Sequence, residues 1–350
     1  MQNRGKLTRL ALLASLLLLL ASAIVRSAPQ GAEQAQAQPQ GQQGQRGAKP
    51  PEHPLPWAYA VLDGPNPAEP DDGRVWHLPD TDLAFTLKQV RNNADPVDWY
   101  PGDHPKMPDV VAHGRRPDVQ ACAFCHFPNG KGRPENTNVA GLPYSYILQQ
   151  LIDFKMGARK SADAGKVNTA RMAGFAKGMT DEEMSVVAQY FSSMKPAPWV
   201  KVVEADTVPK TKNDGGYFVK LDGDETEPIA NRLLEVPVDG EKTALLRDPR
   251  SPFIAYAPTG SVKKGEMLAT MGGAGKTVAC AACHGEGLRG NGYFPPLAGR
   301  SPSYLARQLY DFQHFTRNGP GSQLMQPIVE KLTQEDILDI TAYLASLPPQ

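Results

Sequence analysis

Apolar residues recur at helical spacing in four stretches that form two matching pairs. In PYSYILQQLIDFKMGAR, Pro143–Arg159, the positions Tyr146, Leu148, Leu151, Ile152 and Met156 predict a helix with one buried stripe. MTDEEMSVVAQYFSSM, Met179–Met194, predicts a second helix. There Thr180 is a good N-cap, Glu183 stands at the reciprocal capping-box position, and Met184, Val187, Ala188 and Phe191 make the stripe. PSYLARQLYDFQHF, Pro302–Phe315, and LTQEDILDITAYLASL, Leu332–Leu347, repeat the pair, with Thr333 and Asp336 in the capping positions. Tyr146 and Tyr304 stand equally far before Gln150 and Gln308, and each glutamine leads into Leu-x-Asp-Phe. A repeat of this length predicts two related, mainly helical domains, at 120–197 and 263–350.

The remaining segments differ in pattern. Arg4, Lys6 and Arg9 precede an apolar run from Leu10 to Val25, as in an export signal over 1–28, with Ala21-Ser22-Ala23 as a small-residue cleavage site. The run also fits an uncleaved anchor, being only somewhat shorter than a spanning helix. Residues 29–56, rich in Gln, Gly, Ala and Pro, predict a flexible linker. Residues 57–119 are proline-punctuated but carry Trp and Tyr, so they are expected to pack on a helical domain. Asp80 or Thr81 is placed to cap a short helix over Leu83–Val90. In 198–262, WVKVVEADTV, GGYFVKL and RLLEVPV read as short extended segments, either a small β elaboration or an elongated connector.

The 37 basic and 37 acidic residues balance, which removes any global electrostatic argument for nucleic acid or an anionic membrane. With 32 Gly, 33 Pro and only 7% aromatics, small domains with much irregular backbone are expected.

All four cysteines fall in CAFCHF at Cys122–Phe127 and CAACHG at Cys280–Gly285. An exported protein permits disulfides, but partners three apart make awkward staples and need no adjacent histidine. Tetrahedral zinc would require both pairs at one site, whereas the repeat assigns one pair to each domain. A redox pair accounts for the cysteines and leaves His126 and His284 without a role. Cys-x-x-Cys-His is the attachment signature of haem c: two thiols on one turn reach the edge of one macrocycle, and the adjacent imidazole is held beneath the iron. Two covalently attached haem c groups are therefore expected, one at Cys122, Cys125 and His126, the other at Cys280, Cys283 and His284. Among ten methionines, Met172 and Met325 share one feature: each lies eight residues before its N-cap threonine. They are the expected distal ligands, in a loop before the last helix of each domain. Met156, Met179, Met184 and Met194 are expected to be core. His113, just before the first motif, is the rival distal ligand, without a counterpart in the second domain.

On these motifs both domains resemble class I cytochromes c, especially the tandem two-haem proteins of the cytochrome c4 type, over about 120–196 and 263–348. The resemblance implies compact helical haem domains that exchange electrons with each other and with outside partners. It implies haem-pocket positions for Tyr146 and Tyr304, and a carbonyl of Pro296 supporting His284, with Asn138 at the corresponding place in the first domain. The extension at 57–119 and the insert at 198–262 depart from the family pattern.

The expected role follows: a periplasmic electron carrier or electron-transfer subunit between a dehydrogenase or quinol-linked donor and an oxidase or another cytochrome. It is not expected to be an enzyme, because both irons have two protein ligands. The alternative is a dihaem peroxidase or small-molecule oxidase with one labile distal ligand, with His113 and Arg115 as acid–base candidates.

Overall fold

The computed structural model describes residues 53–349 except 63, 68 and 69. The expected signal at 1–28 and most of the linker lie outside them. Two helical domains follow one plan. The first is built from α1 (Cys122–His126), α2 (Tyr144–Lys155), α3 (Val167–Gly178) and α4 (Asp181–Ser192). The second is built from α5 (Ser261–Met271), α6 (Ala281–His284), α7 (Pro302–Gln313), α8 (Ser322–Val329) and α9 (Gln334–Ser346).

Local chemistry starts the closing helix of each domain. Thr180 accepts from the Glu183 amide while Glu183 reaches back to the Thr180 amide, and Thr333 and Asp336 repeat this reciprocal cap before α9. The expected stripe of α4 is buried: Met184 is 1% exposed, and Val187, Ala188 and Phe191 join it in the first core. On α2 the expected stripe is displaced. Ile152 is exposed, as is Met156, while Gln150, Leu151, Asp153 and Phe154 are buried. Ile147 and Leu151 stay in the first domain's core, while Gln150 is buried by its bond to Arg317 of the other domain, so the buried face is partly polar. Met179, Met184 and Met194 are core as expected. The α5–α9 crossing depends on Gly265, where an added Cβ would stand 1.9 Å from the Asp339 carbonyl oxygen.

The insert contains a three-stranded sheet of β1 (Val200–Glu204), β2 (Leu234–Pro237) and β3 (Phe253–Ala257), in the order β2-β3-β1. β3 runs antiparallel to β2, with Leu234 opposite Tyr256, and parallel to β1, with Phe253 opposite Val200. Glu235 of β2 is buried and accepts from the Ser301 hydroxyl at 2.7 Å and the Ser303 hydroxyl at 2.6 Å, which fastens the sheet to the start of α7.

The extension packs in three places. Leu55, expected in the flexible linker but 1% exposed because its side chain is apolar and packs, joins Trp57 and Tyr59 in the core of the second domain, where the Tyr59 hydroxyl donates to Asp311 at 2.8 Å. Leu78, Leu87, Val90, Trp99 and Tyr100 form a small core with Leu246 of the insert. Val110 and Val111 enter the first domain's core. The helix expected over Leu83–Val90 is half strand: Ala84–Thr86 pairs with Val75–His77, placing Trp76 opposite Phe85, and only Leu87–Val90 is helical. Thr86, rather than Asp80 or Thr81, supplies the cap, because its hydroxyl reaches the Gln89 amide. The side chain of Thr81 is spent on the Leu83 amide.

Candidate functional site

Each Cys-x-x-Cys-His motif forms a turn of helix that opens onto a cavity. Cys122, Cys125 and His126 line one of about 470 Å³, with Tyr146, Phe154 and Met172 also in its wall. Cys280, Cys283 and His284 line a second of about 140 Å³, with Pro295, Pro296 and Met325. Each expected histidine and methionine therefore meets in one cavity, His126 with Met172 and His284 with Met325. Neither methionine lies in a loop: Met172 is on α3 and Met325 on α8. The Thr-Ala-Arg-Met-Ala-Gly sequence of α3 lacks a clear apolar stripe, and Pro327 interrupts the pattern of α8.

The two histidines are oriented alike. His126 Nδ1 bonds the Thr137 carbonyl at 3.1 Å, and His284 Nδ1 bonds the Pro295 carbonyl at 2.8 Å. A carbonyl only accepts, so Nδ1 carries the proton and Nε2 is left as the basic nitrogen. Burial lowers the pKa of both imidazoles against the weaker pull of these bonds, which favours the neutral form that binds metals. The supporting carbonyls correct the expectation of Pro296 and Asn138. Each lies 11 residues after its histidine, so the returning loops have the same length. Asn138 turns its side chain to the Ala140 amide at 3.0 Å, and its carbonyl accepts from Arg300 at 2.8 Å. Burial also pushes the Cys122 thiol up to about 12 and the Cys280 thiol up to about 11.

The cavities share a wall. Leu142, Tyr146, Gln150, Tyr304 and Gln308 border both. Through this wall runs a reciprocal network. Arg159 donates to Gln150 at 3.1 Å, Tyr304 at 3.1 Å and Gln308 at 2.9 Å. Arg317 donates to Gln308 at 3.0 Å, Tyr146 at 2.7 Å and Gln150 at 2.7 Å. Each arginine is set by a left-handed residue two positions earlier, Gly157 with φ 71° and Phe315 with φ 57°, which ends its helix and sends the chain across to the other domain. Burial raises the Tyr304 phenol, but the two guanidinium charges outweigh it and bring the phenol down to about 8.

Charge in the cavity walls is mostly positive. Arg159, Lys160, Arg171 and Arg307 face the first cavity against Glu135 and Asp311, beside Lys166, whose charged form burial disfavours; Arg300 and Arg317 face the second. Arg317 Nε is buried and has no hydrogen-bond partner among the described residues. An apolar cavity with a basic nitrogen, a thioether, two thiols and an excess of cationic donors fits a haem, whose ring is apolar and whose propionates are anionic. The rival residues lie elsewhere. His113 pairs with Asp95 at 3.1 Å on the surface and Arg115 with Glu183 at 2.7 Å, and neither borders either of these two cavities. Among the described residues no helix is long and apolar enough to cross a membrane.

The sequence matches the cytochrome c family model twice, over residues 111–195 and 262–348. The thiosulfate dehydrogenase electron acceptor of Thiomonas intermedia is 27% identical over 237 residues, which are 66% of this chain and 81% of that protein. Cytochrome c4 of Azotobacter vinelandii is 26% identical over 232 residues, 65% of this chain and 84% of that one. The solved thiosulfate dehydrogenase TsdBA of Marichromatium purpuratum is 23% identical, with a TM-score of 0.45, and is matched over 69% of this chain and 39% of its own. Two family domains, each with its own Cys-x-x-Cys-His motif and cavity, make the chain a dihaem class I c-type cytochrome resembling cytochrome c4, with a general role in electron transfer.

Proposed function

We propose that each cavity holds one haem c, bound by thioethers through Cys122 and Cys125 in the first domain and Cys280 and Cys283 in the second. His126 and Met172 would hold the first iron, and His284 and Met325 the second. The carrying observation is that each cavity brings together one oriented histidine and one methionine. Bound haem supplies a one-electron ferric–ferrous couple. The protein's residues do the rest. The Thr137 and Pro295 carbonyls fix imidazole tautomer and orientation. The methionine thioethers raise the potential relative to a second histidine. The apolar walls exclude water, and the arginines of the shared wall, Arg317 Nε among them, offer donors to the propionates.

Tyr146 and Tyr304 border both cavities, so the two groups are held on either side of one thin partition, an arrangement suited to passing an electron within the chain. We infer an exported, periplasmic carrier or complex subunit that takes electrons from a dehydrogenase and delivers them to another cytochrome or an oxidase. The relative named as a thiosulfate dehydrogenase electron acceptor makes such a dehydrogenase the first donor to try.

The ligand assignment is tested with M172A and M325A in the haem-loaded protein. Each variant is expected to lose about half of the ferric thioether-to-iron absorption and to open one haem per chain to carbon monoxide, while wild type binds none. Full retention of the band in either variant would remove that methionine from the ligand set.

A further inference from the structure

The two attachment motifs are alike in sequence and unlike in surroundings. At the second, Ala281, Ala282 and Cys283 are exposed. At the first, Ala123 is 1% exposed, and the insert covers Phe124, the residue that stands where the second motif has Ala282. Arg247 of the insert lays its guanidinium over the Phe124 ring at 4.3 Å and the Phe127 ring at 5.4 Å, and donates to the Phe124 carbonyl. The neighbouring Leu246 carbonyl is held by the Trp99 indole at 2.9 Å, so the extension fixes the loop that carries the arginine. Arg247 itself has a left-handed φ of 55°.

Arg247 forms no ion pair among the described residues, and Glu135, the carboxylate whose charge reaches it, is paired with Arg133 at 2.7 Å.

We propose that Arg247 is a potential-setting residue, holding a fixed cation beside the first haem attachment turn and so raising the reduction potential of that haem alone. The inference rests on the reading that the first cavity holds a haem. On reduction the iron takes up one electron from the donor and passes from ferric to ferrous, so the net charge of the site falls by one. A fixed positive charge outside bulk water favours the lower-charge state. The insert thereby makes two nearly repeated domains electrically different.

The test is a mediated redox titration of the full-length, haem-loaded chain. R247Q keeps an amide donor for the Phe124 carbonyl and removes the charge; R247K keeps the charge. In R247Q one midpoint is expected to fall by roughly tenfold in its equilibrium constant, about 59 mV for one electron, with the other unmoved. R247K is expected to stay near wild type. E135Q, which removes the negative member of the cluster, is expected to raise the same midpoint, and it carries the test should R247Q fail to retain its haem. Unchanged midpoints in R247Q or E135Q, equal movement of both, or a fall in R247K as large as in R247Q would overturn the proposal. A wild-type haem content other than two per chain would instead overturn the haem reading on which it rests.

Discussion

Replacing Cys280 and Cys283 together by alanine is expected to lower covalently bound haem from two groups per chain to one, leaving the first-domain group in place. The reason is that the two thiol pairs face different cavities: Cys122 and Cys125 border the first, Cys280 and Cys283 the second. Cys283 is exposed and Cys280 lies partly buried against the edge of the second core, so alanine at both positions keeps most of the packing and the main loss is one of attachment. The reciprocal change at Cys122 and Cys125 is expected to give the complementary one-haem chain. The mass of the intact chain, read with its haem absorbance, distinguishes the outcomes. Two haems still attached, or none, would break the assignment of one pair to one cavity. Loss of the second haem is also expected to weaken its domain, because a ligand bound only by the folded state stabilises it and α7, α8 and α9 all border the space it fills.

The parts of this site that were legible in the sequence are those written in side chains over short spans. Cys-x-x-Cys-His is local, and its two copies needed only each other for support. Met172 and Met325, which line the two cavities, were singled out by their distance to Thr180 and Thr333, a relation that survives because the caps start equivalent helices. Their place on helices was hidden, since α3 carries Asn168, Thr169, Arg171 and Gly174 where a buried stripe would need apolar groups. The carbonyls that orient the histidines left no side-chain signature. Thr137 and Pro295 share nothing but their distance from His126 and His284, and superimposing the two copies on the histidines is the signal that finds them.

Arg159 and Arg317 were not singled out as a pair from the sequence, although the repeat carries their signal, each standing five residues after the phenylalanine of Leu-x-Asp-Phe. What the sequence could not show is that they cross to the opposite domain, because periodicity describes a helix's own face and says nothing about its neighbour. The displaced stripe of α2 has this origin: Gln150 is buried because two arginines from different domains bond it. Arg247 was further from view. It lies 123 residues from Phe124, and only the folded extension and insert bring them together.

The insert and extension do more than decorate the tandem plan. Val110 and Val111 complete the first core, Tyr59 reaches Asp311 in the second domain, and Glu235 holds the start of α7. Segments outside the repeat thus tie the domains into fixed relation. The repeat itself contributes the junction at which the cavities meet.

That junction sets the second large expected effect: R317A is expected to destabilise the haem-loaded protein by about 3 kcal/mol in denaturant unfolding. Arg317 is 4% exposed and donates to Tyr146 and Gln150, both at 2.7 Å, and to Gln308 at 3.0 Å. Truncation leaves those oxygens buried beside a void, and each unsatisfied group costs about 1–3 kcal/mol. Water entering the space and the bonds from Arg159 to Gln150 and Gln308 recover part of that loss. R159A is expected to cost a similar amount. Because both arginines share the same two glutamines, the double variant is expected to depart from the sum of the singles by about 0.5–3 kcal/mol, the range found for residues in one network. R317K is expected to recover less than half, since an ammonium cannot span two acceptors with the geometry of a guanidinium or approach Phe312, whose ring now lies 4.3 Å from it. Electron exchange between the haems should slow in R317A as the partition loosens. A variant within about 0.5 kcal/mol of wild type, additive with R159A, would show that the domains are held by the insert and extension alone.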